Sequence, residues 1–218
     1  MTRRLVIEWA PGRKVEALLS VADGADRACL LAHGAGAGQR HAFMEGMRRR
    51  LAAAGVTTMT FDYPYVAEGR RAPDRPATLL ACHRAALARL ASYDDRIVLA
   101  GKSMGGRMAS HVAAESETSS PLVVFGYPLV ALGAEAPRDT SHLDLVSGPK
   151  LFVTGARDAM APRGLIETVV DRVGGRLVVV EDADHGFRVP KRVMAPEDVI
   201  GSLVSVTTEW LQTLGAPR

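Results

Sequence analysis

The stretch Gly101-Lys102-Ser103-Met104-Gly105-Gly106 follows directly on the apolar run Ile97-Val98-Leu99 and precedes a helix-like segment from Arg107 to Ala114. The G-x-S-x-G spacing predicts a sharp strand-to-helix turn. Such a turn holds the serine in a strained backbone conformation, and the flanking glycines let strand and helix approach without side chains colliding. The Ser103 hydroxyl would then stand clear of the backbone, open to a substrate carbonyl. The same letters also resemble the end of a phosphate-binding loop, but the glycine that such a loop needs five residues before Gly101 is Arg96, inside the strand run. A merely structural Gly-Ser-Gly turn is the other alternative.

A serine hydroxyl attacks a carbonyl only when a base takes its proton, and that base must be oriented by a third group. Two residues placed just past strand-like runs fit these roles. Asp158 lies in Gly155-Ala156-Arg157-Asp158, beyond a run ending at Thr154, and His185 lies in Asp182-Ala183-Asp184-His185-Gly186-Phe187, beyond a run ending at Val180. Aspartates after strands are often caps or turns, and Asp182 and Asp184 compete for the acid's part, but near neighbours of the base rarely point at its far nitrogen. Asp158 is therefore preferred.

A fourth element is the small-residue loop Ala32-His33-Gly34-Ala35-Gly36-Ala37-Gly38. A developing oxyanion needs backbone N–H donors at close range, and the amides of Ala35 and Met104 are the expected donors, with Gly36 as second choice. The glycines at 34, 36 and 38 do not match the dinucleotide fingerprint. Tyr63, Tyr65, Met104, Tyr127, Met160 and Phe187 follow the relevant strand ends and would either line a pocket or pack in the core. His41, His83, His111 and His142 show no metal-ligand spacing, so no metal is expected and the chemistry needs no cofactor.

Positioning these groups on one rim requires alternating strands and helices. Eight strand-like runs are predicted near Leu5–Trp9, Lys14–Ser20, Cys29–Ala32, Thr57–Phe61, Ile97–Ala100, Leu122–Phe125, Leu151–Thr154 and Leu177–Val180, the first two pairing antiparallel across Pro11-Gly12. Several lack polar alternation, as in Leu177-Val178-Val179-Val180, which marks strands covered on both faces. Helices are predicted near Phe43–Ala54, Ala77–Ala91 and Pro162–Val173, and a last one carries Val199, Leu203, Val206, Trp210 and Leu214 on one face, opening at Pro196-Glu197-Asp198. The irregular stretch from Ala131 to Ser147 is a candidate for a short cover over the site.

With 218 residues and 47% apolar content, one large core and a single domain over 1–218 are expected. The N-terminal segment is basic but interrupted by Glu8, Pro11, Arg13 and Lys14, so no export signal is read there, and the apolar runs are too short to span a bilayer. The formal net charge is +3 and the pI near 9.1, but the arginines are scattered apart from Arg48-Arg49-Arg50, and no basic–aromatic interleaving points to nucleic acid. Two cysteines, Cys29 and Cys82, give no disulfide framework, which favours a reducing cytoplasm.

Taken together, His33-Gly34-Ala35-Gly36-Ala37-Gly38, Phe61-Asp62-Tyr63-Pro64-Tyr65, Gly101-Lys102-Ser103-Met104-Gly105-Gly106-Arg107, Gly126-Tyr127-Pro128-Leu129 and Asp184-His185-Gly186-Phe187 resemble the α/β-hydrolase superfamily over nearly the whole chain. The order Ser, Asp, His along the chain is the one expected there. The resemblance is to a compact, dienelactone-hydrolase-like branch that includes proteins named for a testis-expressed protein and for a subunit of a histone-acetyltransferase complex. It implies a Ser103, Asp158, His185 triad on an eight-stranded, mostly parallel sheet with helices on both faces and no large lid. Dienelactone hydrolase itself carries a cysteine nucleophile, so its lactone substrate does not transfer to a chain with Ser103. The expected activity is hydrolysis of an ester or thioester of a small acyl substrate. A binding or scaffold protein on the same fold, or a small peptidase or acyltransferase on the same triad, are the alternatives. Oligomeric state is left open.

Overall fold

The computed structural model describes residues 1–131, 133–134, 136–190 and 192–215. The chain begins with β1 (Thr2–Ala10) and β2 (Arg13–Ser20), a hairpin that turns at Pro11-Gly12, where Gly12 has a φ of 71°. There follow β3 (Arg27–Ala32), α1 (Ala42–Ala53), β4 (Val56–Phe61), the short α2 (Pro64–Ala67), α3 (Pro76–Ala91), β5 (Ile97–Lys102), α4 (Met104–Ala114) and β6 (Leu122–Phe125). A 3₁₀ helix (Ser141–Leu145), β7 (Lys150–Gly155), α5 (Arg163–Arg172), β8 (Arg176–Val180) and α6 (Pro196–Thr213) complete the described part.

All eight strands join one sheet in the order β1-β2-β4-β3-β5-β6-β7-β8. β2 runs antiparallel to both neighbours, and every pairing from β4 through β8 is parallel. Alternate side chains of the central strands feed two cores, because successive Cβ atoms of a strand point to opposite faces. Ala28, Leu30, Ile97, Leu99 and Phe152 pack toward α3, α4 and α5, while Cys29, Leu31, Val98, Ala100, Leu151 and Val153 pack toward α1 and α6. Both faces are thus covered, which explains the unbroken apolar runs in these strands.

One local expectation is corrected, and two features add to the sequence pattern. Val199, Leu203 and Trp210 are buried on α6 as the periodicity requires, Val206 and Leu214 pack partly buried against the same core, and Val204, Thr207 and Leu211 widen the packed stripe. The four-residue α2 is too short to leave a periodic signal, and it starts at Pro64, whose fixed φ suits a first helical turn. The described residues of the stretch from Ala131 to Ser147 do not cover the site: their 3₁₀ helix docks on α4, with Leu143 buried and the His142 ring stacked on His111 at 3.6 Å. Leu132 and Glu135 of that stretch lie outside the described residues. Among the described residues no helix is long and apolar enough to cross a membrane.

Two consequences are measurable. Phe152 is buried in the middle of β7, edge-on to Tyr127, so Phe152→Ala is expected to cost about 3–5 kcal/mol in urea unfolding. His83 on α3 is fully enclosed; its Nδ1 meets the Tyr63 hydroxyl at 3.0 Å, and its Nε2 has no partner among the described residues. Burial pushes its pKa down to about 3. The unfolded chain therefore takes up a proton below about pH 6.5 that the folded chain refuses until about pH 3, and stability falls across that window. Unfolding free energy measured against pH should show this decline, and His83→Gln should flatten it.

Candidate active site

Ser103 occupies the junction of β5 and α4 with φ 51° and ψ −120°, a backbone region that non-glycine residues visit only when their surroundings force it. The forcing is steric and visible. A Cβ built on Gly101 would lie 2.3 Å from the carbonyl carbon of Gly105, and one on Gly105 would lie 2.4 Å from the carbonyl oxygen of Ala32. Strand and helix therefore touch backbone to backbone, and the turn between them has no room for a relaxed serine. The Ser103 N–H donates to the Phe125 carbonyl at 2.9 Å, and the Ser103 carbonyl accepts the Arg107 N–H at 3.0 Å, which fix the turn from either side.

His185 lies on the loop after β8, with its Nε2 2.9 Å from Ser103 Oγ and its Nδ1 2.9 Å from Asp158 Oδ2. Asp158, on the loop after β7, has no exposed side-chain surface, and its Oδ1 also accepts the Met160 N–H at 2.9 Å. These three groups come from the ends of parallel strands that all leave the sheet at the same edge, as the topology requires. Gly126, at φ 63° after β6, passes directly beneath: a Cβ there would come within 3.3 Å of both Asp158 Oδ2 and His185 Nδ1.

The competing acids do other work. The Asp184 carboxylate accepts the N–H groups of Gly186 and Arg188 at 2.8 and 2.9 Å and pairs with the Arg188 guanidinium at 3.1 Å. Its partial burial acts to raise its pKa, but the Arg188 N–H and charge, with the Gly186 N–H, bring it below the ordinary carboxylate range. Asp184 thus folds the loop that carries His185. Among the described residues Asp182 offers only its backbone carbonyl, which accepts from the Arg157 guanidinium.

The loop after β3 runs alongside the serine, since a Cβ on Gly34 would sit 3.4 Å from Ser103 Cβ. It is anchored by His33, whose buried ring donates from Nδ1 to the Gly34 carbonyl at 2.9 Å and accepts the Tyr63 N–H at Nε2 at 3.1 Å. Burial lowers the His33 pKa, keeping the neutral ring that this donor–acceptor pattern needs. Farther along, Gln39 binds both carboxylate oxygens of Asp62 through its backbone and side-chain N–H groups, at 2.8 and 3.0 Å. Among the described residues, no backbone carbonyl accepts the N–H of Ala35 or of Met104.

A cavity of about 330 Å³ opens above these groups, lined by Gly34 to Ala37, His41, Met44, Lys102, Ser103, His185, Gly186 and Arg188. Larger hollows of about 520 and 570 Å³ lie along α1 and contain none of the three interacting side chains. The aromatic residues expected as possible lining belong to the core instead. Tyr63, Tyr65, Tyr127 and Phe187 are at least 95% buried, and neither Met104 nor Met160 borders the cavity. Strand ends place these residues near the rim, but their rings turn inward, and Tyr63 and Tyr127 find hydroxyl partners in His83 and in Arg107 and His142. The actual lining residues His41, Met44 and Arg188 come from the start of α1 and the His185 loop, and nothing in their spacing marks them.

An eight-stranded, mostly parallel sheet with helices on both faces and a strained serine at its strand-to-helix turn defines the α/β-hydrolase fold. The chain belongs to the alpha/beta hydrolase domain family, whose profile matches residues 25–212. Among solved structures it is similar to an alpha-beta serine hydrolase homologue from Coxiella burnetii, at 18% identity and TM-score 0.77 over 96% of this chain and 97% of that one. A dienelactone hydrolase from Anabaena variabilis matches at 21% identity and TM-score 0.77, covering 98% of this chain and 97% of that one. A serine hydrolase without lid from Xanthomonas campestris matches at 16% and 0.73, covering 96% and 94%. At these identities the likeness to solved structures is one of fold, and with the family match it supports a hydrolase.

The backbone contact at the serine turn makes a sharp prediction. Gly105→Ala is expected to destabilise the protein by about 1–3 kcal/mol through overpacking against Ala32 and His33, lowering the melting temperature. Gly164→Ala on α5, where an added Cβ meets nothing, should leave it within about 0.5 kcal/mol and serves as the control.

Proposed function

We propose that the protein is a serine hydrolase that cleaves a carboxylic ester or thioester of a small substrate through an acyl-enzyme on Ser103. The observation that carries this reading is the unbroken chain of 2.9 Å contacts from Ser103 Oγ to His185 and from His185 to buried Asp158. His185 Nε2 takes the Ser103 proton as Oγ attacks the substrate carbonyl carbon. The Asp158 carboxylate keeps the Nδ1 proton facing away from the serine and balances the imidazolium that forms. As the tetrahedral adduct collapses, the bond to the leaving oxygen or sulfur breaks and the imidazolium returns its proton to that atom. Water then repeats the sequence on the acyl-enzyme, losing a proton to His185 and releasing the acid and Ser103.

The negative charge on the tetrahedral oxygen falls to the amides of Met104 and Ala35. The Met104 N–H sits in the first turn of α4, where helix N–H groups have no intrahelical partner and the helix dipole favours an anion. Ala35 lies on the exposed part of the loop beside Ser103, and Gly36 remains the second choice there. The thiols do not compete as nucleophiles: Cys29 and Cys82 are both buried, and burial pushes each pKa up to about 12. Two free thiols suit a reducing cytoplasm. The small cavity suits a small-molecule substrate, and no part of the mechanism calls for a metal or cofactor.

The test is labelling with a fluorophosphonate probe read by intact mass, followed by turnover of short acyl esters and thioesters. Wild type is expected to take a single adduct, and Ser103→Ala none. Ser103→Ala and His185→Ala should each lower kcat by a factor on the order of 10⁴ to 10⁶, without adding in the double variant. Asp158→Asn should cost on the order of 10⁴ by stabilising the wrong tautomer. Near-normal activity in Asp158→Asn together with a loss in Asp184→Asn would overturn the assignment of the acid.

A further inference from the structure

Lys102 is the residue immediately before the serine, and the mechanism above does not use it. Its side chain borders the cavity, yet its ammonium is largely withdrawn from water. Nζ donates to the backbone carbonyl of His185 at 2.8 Å and lies 5.5 Å from the ring centroids of both Phe43 and Phe187. These two rings are themselves stacked at 5.9 Å. Aromatic faces offset part of the lost hydration of a cation, but burying an ammonium still costs more than burying a hydrocarbon of the same length. A methionine would pack against Phe43 and Phe187 without that cost, so the contribution specific to lysine is the charged donor and its one carbonyl partner.

We propose that Lys102 is a positioning residue, clamping the backbone of His185 to the strand that carries Ser103. The need arises from topology. β5 and β8 are separated in the sheet by β6 and β7, and His185 stands five residues past the end of β8 on a loop. Packing holds Phe187 of this loop against Phe43 and Phe125, but its other hydrogen bonds tie it to itself or to the β7 loop: Asp184 holds Gly186 and Arg188, Arg157 holds the Asp182 carbonyl, and the Arg157 N–H donates to Ala183. Among the described residues, the Lys102 bond and the Ser103–His185 bond are the two that join the serine's strand to the histidine's loop. Because Lys102 and Ser103 are adjacent in the chain, this bond sets the position of His185 relative to Oγ directly.

The charges facing Lys102 are Asp158 from the β7 loop and Asp184 and Arg188 from the His185 loop, with His41 at the start of α1 on the wall of the same cavity. Burial pulls the Lys102 pKa down to about 8, against the attraction of the two carboxylates. The charged clamp is therefore complete below that pH and weakens as pH rises through it.

This inference rests on the serine-hydrolase reading, and one experiment separates the two. Fluorophosphonate labelling rate, kcat and KM are measured against pH for wild type, Lys102→Met and Lys102→Arg, with circular dichroism as the check on folding. Lys102→Met is expected to fold, to lose about tenfold in labelling rate and kcat at neutral pH with KM nearly unchanged, and to lose the wild-type decline near pH 8. Lys102→Arg, which keeps a permanent charge and donor, should recover most of the rate and show no decline there. If Lys102→Met fails to fold, Lys102→Gln carries the same comparison. A folded variant without the ammonium that labels and turns over at the wild-type rate would reduce Lys102 to packing while leaving the hydrolase reading intact. Wild type that neither labels nor turns over would overturn both.

Discussion

The arrangement of this molecule depends on one steric contact, the meeting of β5 and α4 at Gly101 and Gly105. Neither position has space for a Cβ, so the two backbones and the carbonyl of Ala32 from the neighbouring strand lie against one another. The residue caught at the turn is driven to φ 51°, and its side chain is left pointing away from the sheet. The energy stored in such a conformation must come from elsewhere in the fold. Here it is met by the packing of α4 onto the sheet through Met108, Ala109 and Val112, and by the hydrogen bonds that Ser103 makes to Phe125 and Arg107.

Parallel strands extend this local device into a site. Since β3, β5, β7 and β8 all end at one edge, their following loops share a rim, and each loop is stiffened by partners of its own. Neutral, buried His33 and the Gln39–Asp62 bonds hold the first loop beside Ser103; Asp184 and Arg157 hold the last one around His185. The charged side chains nearest the serine are therefore divided in purpose. Asp158 faces the imidazole, whereas Asp184, one residue from His185 in sequence, is fully engaged by the loop backbone and Arg188. Proximity along the chain gave no access to the ring, because successive residues of a tight loop point in different directions.

The legible features were those with a local physical cause. Ile97-Val98-Leu99 followed by Gly-x-Ser-x-Gly can form few structures other than a buried strand and a tight turn, and the central strand runs are recognisable because both sheet faces are covered there, whereas the edge strand β8, Arg176–Val180, is only partly buried despite its unbroken apolar run. The pocket walls were much harder to read. Tyr63, Tyr65, Tyr127 and Phe187 have the composition of a binding site and the right position after strands, yet each turns its ring into one of the two cores. Which way a side chain points at the end of a strand is decided by the neighbours packed against it, and those come from distant parts of the sequence. The same holds for the 3₁₀ helix before β7, whose docking on α4 rests on contacts such as His142 with Ser110 and His111.

By itself the sequence determined the fold class, the strained turn at Ser103 and the chain order of serine, aspartate and histidine, because periodicity, glycine spacing and strand ends act over a few residues. Only the tertiary structure decided the distances of 2.9 Å from His185 to Ser103 and to Asp158, the enclosed state of His33 and His83, and the meeting of Lys102 with the carbonyl of His185. Those depend on the order of strands within the sheet, which brings residues 82 or 83 positions apart into contact. No local pattern encodes such a contact, since it exists only after two cores have closed around the sheet.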